Sequence, residues 1–226
     1  MRIIPETRHL RTVVEEKGIP GHFTQWEDYS RRYLRFQAGE QILTAGKETP
    51  GFYFLLQGSI RVYALGADGR VRLLTLCRED DEVLLGDVEY LTGSYSPNHV
   101  EAVEESVLLL VPYDRERMET DIALYKYISV MLLKKMEQAS ENATHMIFQP
   151  LPRRLAGYLL TTSDNGIFTG RYTDAANYLG CSYRQLMRLI SQFYRDGVLL
   201  RENGCIRILR PERLEELAGG AELAHE

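Results

Sequence analysis

Between residues 33 and 112 the apolar positions form short alternating runs that glycines interrupt, and no stretch suits a helix of useful length. Phe52, Phe54 and Leu56 make one such run, and the next begins after Gly58. Alternation with a period of two is the pattern of β-strands, and short strands with frequent glycine turns are typical of an antiparallel barrel or sandwich. The pattern predicts an antiparallel β-roll, large enough to leave a pocket for a small ligand.

After residue 112 the spacing of apolar and small side chains becomes helical. Positions alternately four and three residues apart form a heptad seam made of Tyr125, Ser129, Leu132, Met136, Ala139, Ala143 and Met146. Three heptads are marginal for a free coiled coil, but two copies whose β-rolls also pack would pair along the seam. We therefore expect a homodimer. The alternative is that the stripe packs only against its own β-roll.

Pro150 and Pro152 interrupt the helical pattern, because proline lacks an N–H donor and restrains the residue before it. They mark a hinge. The expected organisation is an α+β chain with a β-roll sensory domain and its N-terminal extension over residues 1–117, a dimerisation helix over residues 118–149, and a C-terminal domain over residues 150–226.

The stretch from residue 173 to residue 209 reads as two short helices across a tight turn, followed by a hairpin. Thr173 suits the N-cap of the first helix, and Gly180 supplies a turn residue that can take positive φ. Ser182 and Gln185 have the spacing of a capping box, which would begin the second helix. This order predicts a winged helix-turn-helix, a motif that binds DNA.

The second helix has two distinct faces. Its apolar positions recur at helical spacing and would face the core, and they are Leu186, Leu189, Ile190 and Phe193. Arg184 and Arg188 lie on the other face, and the arginine fork matches the two acceptors of guanine. The candidate DNA-binding residues are Thr173, Ser182, Tyr183, Arg184, Met187, Arg188 and Ser191. The alternative is an ordinary solvated helix face.

From Val198 the chain alternates again and reverses at Asn203 and Gly204, a pair preferred by type I′ hairpins. The hairpin would be the wing of the motif. Arg201 and Arg207, with Asn203 at the corner, are its candidate contacts to the DNA backbone.

Charge is divided unequally along the chain, whose net charge is −5. Residues 151–213 contain ten arginines against five acidic residues, whereas residues 1–150 carry 17 basic and 23 acidic side chains. A basic module on an acidic body suits a specific, dissociable DNA binder, since phosphate neutralisation supplies affinity while the body adds little non-specific attraction.

Several classes of protein are disfavoured by what the sequence contains. Cys77, Cys181 and Cys205 are odd in number and lack metal-ligand spacing, so we expect no disulfide framework, metal site or cofactor. No apolar run approaches the roughly 20 residues of a membrane span and no signal-peptide core is present, which predicts a cytoplasmic protein without membrane contact. The sequence shows neither the spacing of nucleophile, base and orienting group that a catalytic site needs nor a phosphate-binding loop, so we do not expect an enzyme.

A β-roll, a long helix, a proline-marked hinge and a winged helix in that order resemble the cyclic AMP receptor protein and FNR family of bacterial transcription regulators. The resemblance covers nearly the whole chain, and residues 154–200 look most like the YeiL-type branch. It is carried by Gly39, Glu40, Ile42, Gly46, Phe54 to Gly58, Gly86, Asp87 and Leu179 to Ser182.

The resemblance implies a cyclic-nucleotide-binding-like roll, a homodimer on a near-palindromic operator in double-stranded DNA, and contact with RNA polymerase. By the same resemblance Tyr183, Arg184 and Arg188 align with the family's base and phosphate contacts. The tyrosine stands where the family often has arginine, so the DNA sequence that is read does not carry over.

The ligand side departs from cyclic AMP binders. Those proteins place a Gly-Glu pair on the ribose and an Arg-Ser pair on the phosphate, where this chain has Gly86 with Asp87 and Ser96 with Pro97. Without the arginine an anionic phosphate would be desolvated unpaired at a cost of several kcal/mol, so cyclic AMP is not the expected effector. An FNR-type iron–sulfur sensor needs four thiolates, and the chain has three cysteines.

What remains is an acidic effector pocket suited to a neutral or cationic small molecule. Its candidate residues are Gly86, Asp87, Glu89, Ser96, Asn98, Met136, Ala139 and Ser140. The alternative is a filled scaffold without a ligand, and Cys77 is either a redox thiol or, as we expect, a buried inert one.

Two functions from different classes follow. The leading one is a dimeric, sequence-specific transcription regulator, for which gating by a small effector other than cyclic AMP and a β-roll without a ligand both stay open. The alternative is a ligand-binding or interaction protein that keeps the fold but binds DNA only weakly and without specificity.

Overall fold

Eight strands lie in the first 112 residues of the described chain and form two antiparallel sheets. They are β1 (Arg2–Ile4), β2 (Arg32–Phe36), β3 (Gln41–Leu43), β4 (Gly51–Gln57), β5 (Ser59–Leu65), β6 (Val71–Arg78), β7 (His99–Ala102) and β8 (Ser106–Pro112). One sheet has the order β1-β2-β8-β4 and the other β3-β7-β5-β6. The computed structural model describes residues 1–66, 71–202 and 204–219, and for residues 142 and 144–147 it describes the backbone alone. The predicted antiparallel β-roll is confirmed.

Strand β4 explains why this part of the chain is so apolar. Phe52 and Phe54 point into a core shared with the helices, whereas Tyr53 and Leu55 point into a second core between the sheets. A strand buried on both faces needs apolar residues at every position rather than at alternate ones. All four side chains are at most 4 % exposed.

The N-terminal extension belongs to the roll. Strand β1 pairs with β2 and extends the first sheet, and helix α1 (Arg8–Glu16) places Leu10 and Val14 in the roll's helix-side core. Two single turns follow at Ile19–His22 and Trp26–Asp28. The role of this segment is therefore to complete the roll.

Between residues 33 and 112, where the pattern predicts no helix of useful length, the structure has one short helix, α2 (Asp87–Thr92). It begins after Gly86, whose φ is 91°. A Cβ at Gly86 would lie 2.5 Å from the carbonyl oxygen of Gly51, so the close approach of two backbones requires glycine there. Short runs of apolar residues do not distinguish a two-turn helix from a strand.

Helix α3 (Arg115–Met118) is a single turn, and it leads into the long helix α4 (Ile122–Phe148). The long helix buries Leu124, Ile128 and Met131 against the roll. The chain divides into two compact units, Met1–Gln138 and Ala139–Glu226, so the division falls inside α4. The sequence had placed it at the prolines that follow the helix.

The C-terminal unit contains the remaining elements. They are α5 (Leu151–Thr162), β9 (Ile167–Phe168), α6 (Tyr172–Tyr178), α7 (Tyr183–Arg195), β10 (Leu199–Glu202), β11 (Cys205–Ile208) and α8 (Pro211–Ala218). Strand β9 adds to the hairpin to give a three-stranded sheet of order β10-β11-β9. Helices α6 and α7 and the hairpin confirm the predicted winged helix-turn-helix.

Candidate nucleic-acid interface

Helix α7 begins with the predicted capping box. The backbone N–H of Gln185 donates to the Ser182 hydroxyl at 3.2 Å, and the Ser182 N–H donates to Gln185 Oε1 at 2.9 Å. Gly180, at φ 62°, turns the chain between α6 and α7. Two otherwise unpaired donors are thereby satisfied, which fixes the first turn of the helix.

Thr173 does not cap α6. The N-cap is Arg171, two residues earlier, so the helix begins at Tyr172, and no side chain makes a capping bond. Thr173 is therefore inside the first turn, where it is exposed. The start of this helix follows from the burial of Ala175 and Ala176 in the core rather than from the preference of threonine for a cap.

The two faces of α7 are separated as predicted. Leu186, Leu189, Ile190 and Phe193 are at most 8 % exposed and belong to the core of the unit. Tyr183 is 51 % exposed, and Arg184 and Arg188 are exposed beside it.

Two members of the predicted DNA-binding set lie at the edge of that face. Met187 is half-buried and packs against the core, and Ser191 is half-buried as well. Met187 therefore supports the helix as much as it borders solvent. The boundary of a helix face falls between positions, and a helical projection of the sequence does not fix it.

The hairpin has the predicted register, with Leu199 opposite Ile208 and Glu202 opposite Cys205. Asn203 lies outside the described residues, and Gly204 beside it has φ 85°.

The two predicted wing arginines differ in their surroundings. Arg201 is exposed, whereas the guanidinium of Arg207 donates to the carboxylate of Glu202 within the hairpin. The partnership offsets the charge that Arg207 would otherwise present.

Two arginines counted in the basic total hold the unit together instead. Arg154 donates to the carbonyl oxygens of Gln149 at 2.8 Å and Leu179 at 2.9 Å, which ties the start of α5 to the end of α6. Arg153 donates to the carbonyl oxygen of Ala218, at the end of α8, at 3.0 Å. Their charges sit beside the hinge and the helix ends, and sequence reasoning gave no sign of that use.

Several residues predicted to line an effector pocket are hydrogen-bonded to other groups of the protein. Asp87 is 2 % exposed, and both of its carboxylate oxygens lie 2.7 Å from the ammonium of Lys135 on α4. Ser96 is buried and donates to the carbonyl oxygen of Asn98 at 3.1 Å. Gly86 accepts a hydrogen bond from the Tyr113 hydroxyl.

The other predicted pocket residues divide in the same way. Glu89 is 6 % exposed, whereas Met136 is 62 % exposed, and Ala139 and Ser140 are exposed too. A cavity of about 330 Å³ lies elsewhere, lined by Arg2, Arg35 and the start of α1. The acidic side chains are therefore buried groups rather than a lining open to solvent.

The Cys77 side chain is half-buried. It packs against the inter-sheet core, and burial raises its pKa to about 11, although a contact with Thr75 acts in the opposite direction. The thiolate, which is the reactive form, is then about a hundredfold scarcer at neutral pH than for an exposed cysteine.

Alkylation of Cys77 tests that placement. In a variant with Cys181 and Cys205 changed to serine, we expect iodoacetamide at pH 7.5 to react with the folded protein at least about a hundredfold more slowly than with the protein in urea. The conversion is followed by mass spectrometry. Equal rates in the two conditions would show that the thiol is not buried.

The exposed face of α4 is rotated from the predicted seam. Tyr125 and Met136 are 36 % and 62 % exposed, as the seam requires, but Leu132 is half-buried against the roll. Val130 and Leu133, which the seam omitted, are 41 % and 55 % exposed.

The remaining residues of the predicted seam are exposed where the structure describes their side chains. Ser129, Ala139 and Ala143 are exposed, and the side chain of Met146 lies outside the described residues. The exposed apolar stripe of α4, defined as Ile122, Val130, Leu133 and Met136, thus runs opposite the face that contacts the roll.

Two further searches bear on the classes of function. None of the helices in the part of the chain that the structure describes is long and apolar enough to cross a bilayer. The same residues include no group of three or more histidine, cysteine or acidic side chains that could hold a metal ion.

Comparison with known proteins gives two family matches in chain order. Residues 33–117 match the cyclic nucleotide-binding domain, and residues 153–217 match the Crp-like helix-turn-helix domain. The regulatory protein YeiL of Escherichia coli O157:H7 is 29 % identical over 83 % of this chain and 85 % of its own. The nitrogen fixation regulation protein FixK of Bradyrhizobium diazoefficiens is 25 % identical over 86 % of this chain and 84 % of its own.

Solved structures share the fold. A Crp/Fnr-family transcriptional regulator from Eubacterium rectale superposes with a TM-score of 0.76 at 18 % identity, covering 94 % of this chain and 95 % of its own. A Crp/Fnr-family regulator from Thermus thermophilus gives a TM-score of 0.69 at 24 % identity, covering 82 % of this chain and 97 % of its own. With both domain types present in this order, the chain belongs to the Crp/Fnr family of DNA-binding transcription regulators.

Proposed function

We propose that the protein acts in the cytoplasm as a homodimer that inserts its two α7 helices into successive major grooves of a near-palindromic DNA site, and that it regulates transcription there through contact with RNA polymerase. The observation that carries the proposal is the pairing of exposed Arg184 and Arg188, one helical turn apart, with a face of α7 that is sealed in the core. No enzymatic activity is part of the proposal.

The chemistry of α7 supports base reading by its arginines. Side chains near the N-terminus of a recognition helix reach the base edges, and a guanidinium can donate to both acceptors of guanine. Arg184 lies in the first turn of the helix, where the capping box fixes the backbone, and Arg188 follows one turn later.

Phosphate contacts come from the flanks of the same helix. The hydroxyls of Ser182 and Tyr183 can donate to phosphate oxygens, and backbone N–H groups at a helix start favour anions. Arg201 on the wing adds positive charge, whereas Arg207 is held by Glu202. We therefore assign the wing a smaller share of the affinity than two arginines would suggest.

The exposed apolar stripe of α4 supports a dimer. Its residues lie on the face turned away from the roll, and Val130, Leu133 and Met136 recur at three-residue spacing. Large apolar side chains that stay in contact with water at helical spacing are typical of a helix that pairs with a second copy. Insertion of both α7 helices of a dimer into successive major grooves requires a spacing of about 34 Å between them, one turn of DNA.

Changing Leu133 to glutamate tests the dimer. A charge buried at a paired helix face has no partner, so we expect the variant to sediment as a monomer at micromolar concentration, with the wild type as a dimer. Sedimentation velocity is the measurement. Because Leu133 is 55 % exposed in one chain, its thermal unfolding should change little.

A matched control introduces the same charge one residue away. Lys134→Glu replaces an exposed ion pair with Glu82 by two exposed carboxylates, which solvent screens, and it should leave the dimer intact. A Leu133→Glu variant that remains dimeric would place the interface elsewhere.

Photo-crosslinking tests the DNA interface without knowledge of the operator. With p-benzoylphenylalanine in place of Tyr183, we expect illumination to link the protein to a pool of random 30-base-pair duplexes. The same replacement at Tyr95, which is similarly exposed at 60 % but lies in the N-terminal unit, should give no link. Absence of a crosslink at Tyr183, or equal yields at both sites, would count against α7 as the interface.

The alternative of a non-DNA-binding relative has weaker support. The relatives of this chain are named as regulatory proteins. The alternative also does not explain why two arginines lie on the exposed face of a capped helix. It predicts binding that is weak and equally steep in salt for every duplex.

A further inference from the structure

Two consecutive lysines of α4 contact the loop between β6 and α2 and the first residue of α2. Lys134 pairs with Glu82 at 2.5 Å, and Lys135 pairs with Asp87, 48 residues earlier in the chain, at 2.7 Å. The two pairs differ in burial. The Lys134 and Glu82 side chains are 56 % and 43 % exposed, whereas the Lys135 and Asp87 side chains are 41 % and 2 % exposed, so the difference lies mainly in the carboxylate.

All three N–H donors of the Lys135 ammonium have an acceptor within reach. It has three N–H bonds, and it lies within hydrogen-bond distance of three oxygens: both carboxylate oxygens of Asp87 at 2.7 Å and the carbonyl oxygen of Leu84 at 2.8 Å. Its charge is compensated by the buried carboxylate, and its aliphatic stem reaches from α4 to the loop. This is how a bound organic ammonium ion would be held.

The N-terminal segment fastens the same loop from another side. The ammonium of Lys17, the residue that follows α1, donates to the carbonyl oxygen of Glu79, and Nε2 of His22 lies 4.0 Å from the carboxylate of Glu82. The loop thus contacts both the N-terminal segment and α4 through groups of the chain itself.

We infer that Lys135 is a built-in occupant of the Asp87 site: its ammonium joins the β6–α2 loop to α4, and a small cation cannot reach Asp87 unless Lys135 leaves. The roll and the roll-facing part of α4 are then held together without an effector. The consequence for DNA rests on the proposed function, and it is that the protein binds its operator with no small molecule added.

A double-mutant cycle measures the coupling. Lys135→Met leaves Asp87 buried and unpaired, and we expect the melting temperature to fall by about 6–12 °C. Asp87→Asn leaves a lysine that can turn to solvent, so its effect should be smaller. The double variant should melt close to Asp87→Asn alone. Lys134→Met, the matched control on the exposed pair, should shift the melting temperature by less than about 2 °C.

Chemical rescue separates an occupant from an ordinary ion pair. The Lys135→Ala variant lacks three methylene groups and the ammonium, which correspond to n-propylammonium. Adding n-propylammonium chloride should raise the melting temperature of Lys135→Ala toward that of wild type, and it should not do so for Lys134→Ala. Sodium chloride at equal ionic strength controls for salt.

Three outcomes would overturn the inference: equal melting of Lys135→Met and Lys134→Met, additive losses in the double variant, or no rescue by n-propylammonium. For the DNA consequence, fluorescence anisotropy without added effector should show binding at least tenfold weaker for Lys135→Met and within twofold of wild type for Lys134→Met. Wild type that binds no duplex would defeat the proposed function, while the melting cycle would still decide the role of Lys135.

Discussion

Replacing Arg188 with alanine is expected to reduce discrimination between the operator and random DNA by about 1–3 kcal/mol, or roughly 5- to 150-fold. Arg188 is exposed on α7, on the face opposite buried Leu186 and Ile190, so its replacement would remove the proposed base contact without opening the core. The loss should therefore appear in DNA specificity and not in folding. Anisotropy titrations of the operator and of a scrambled duplex, at the same salt, give the ratio.

Arg195→Ala is the matched control for this experiment. Arg195 is exposed on the same helix but lies in its last turn, away from the end that reads bases. It should change the affinity for both duplexes by the same factor and leave their ratio intact. If Arg188→Ala discriminates between the two duplexes as well as wild type does, Arg188 does not contact the bases.

Replacing Asp121 with alanine is expected to destabilise the N-terminal unit by more than about 3 kcal/mol. The Asp121 carboxylate is 4 % exposed at the start of α4 and accepts from the Thr24 N–H and hydroxyl, the Tyr29 hydroxyl and the Leu124 N–H, at distances from 2.6 to 3.1 Å. Its loss would leave several buried donors unpaired and would free the N-terminal extension from α4. Urea unfolding followed by far-ultraviolet circular dichroism measures the change.

The same carboxylate predicts a dependence on pH. Burial alone would raise the pKa of Asp121, but the hydrogen bonds from Thr24, Tyr29 and the backbone N–H of Leu124 outweigh it and lower the pKa. A carboxyl whose pKa is lowered by folding adds stability above its unfolded pKa of roughly 4, and that stability is lost as the pH falls through the lowered value. Wild type should therefore lose stability between pH 5 and pH 3 more steeply than Asp121→Asn.

Asp28→Asn provides the control for both measurements. Asp28 pairs with Arg117 at 2.6 Å, but its side chain is 50 % exposed, so its loss should cost less than about 1 kcal/mol. Unfolding of Asp121→Ala at the same urea concentration as Asp28→Asn would contradict the anchoring role.

The winged helix could be predicted because its signals are local. The capping pair Ser182 and Gln185 lies within one helical turn, and Gly180 supplies the turn immediately before it. The alternation that predicted the β-roll is local too, since no strand of the roll is longer than eight residues. Such signals depend on the backbone preferences of neighbouring residues, which the sequence states directly.

The rest depends on partners that are distant in sequence. Asp87 was predicted to hold an effector, but its carboxylate is paired with Lys135, 48 residues away in the sequence. The periodicity of the sequence does not predict that pair. The exposed face of α4 differs from the predicted seam for the same reason. Leu132 packs against a core that forms only when the roll is complete. Two errors are smaller: the predicted N-cap at Thr173 is two residues from the N-cap in the structure, and Met187 lies at the edge of the exposed face rather than within it.

Selection of bound sequences from a random DNA library by the purified protein, at moderate salt and with no ligand added, tests the central claim most directly. We predict enrichment of a motif with two-fold symmetry, whose half-sites are centred about one helical turn apart, because two α7 helices related by a dimer axis must read the same sequence in opposite directions. Enrichment of an asymmetric motif would contradict reading by a dimer. No enrichment, in the presence or absence of small-molecule extracts of cells, would contradict sequence-specific DNA binding itself.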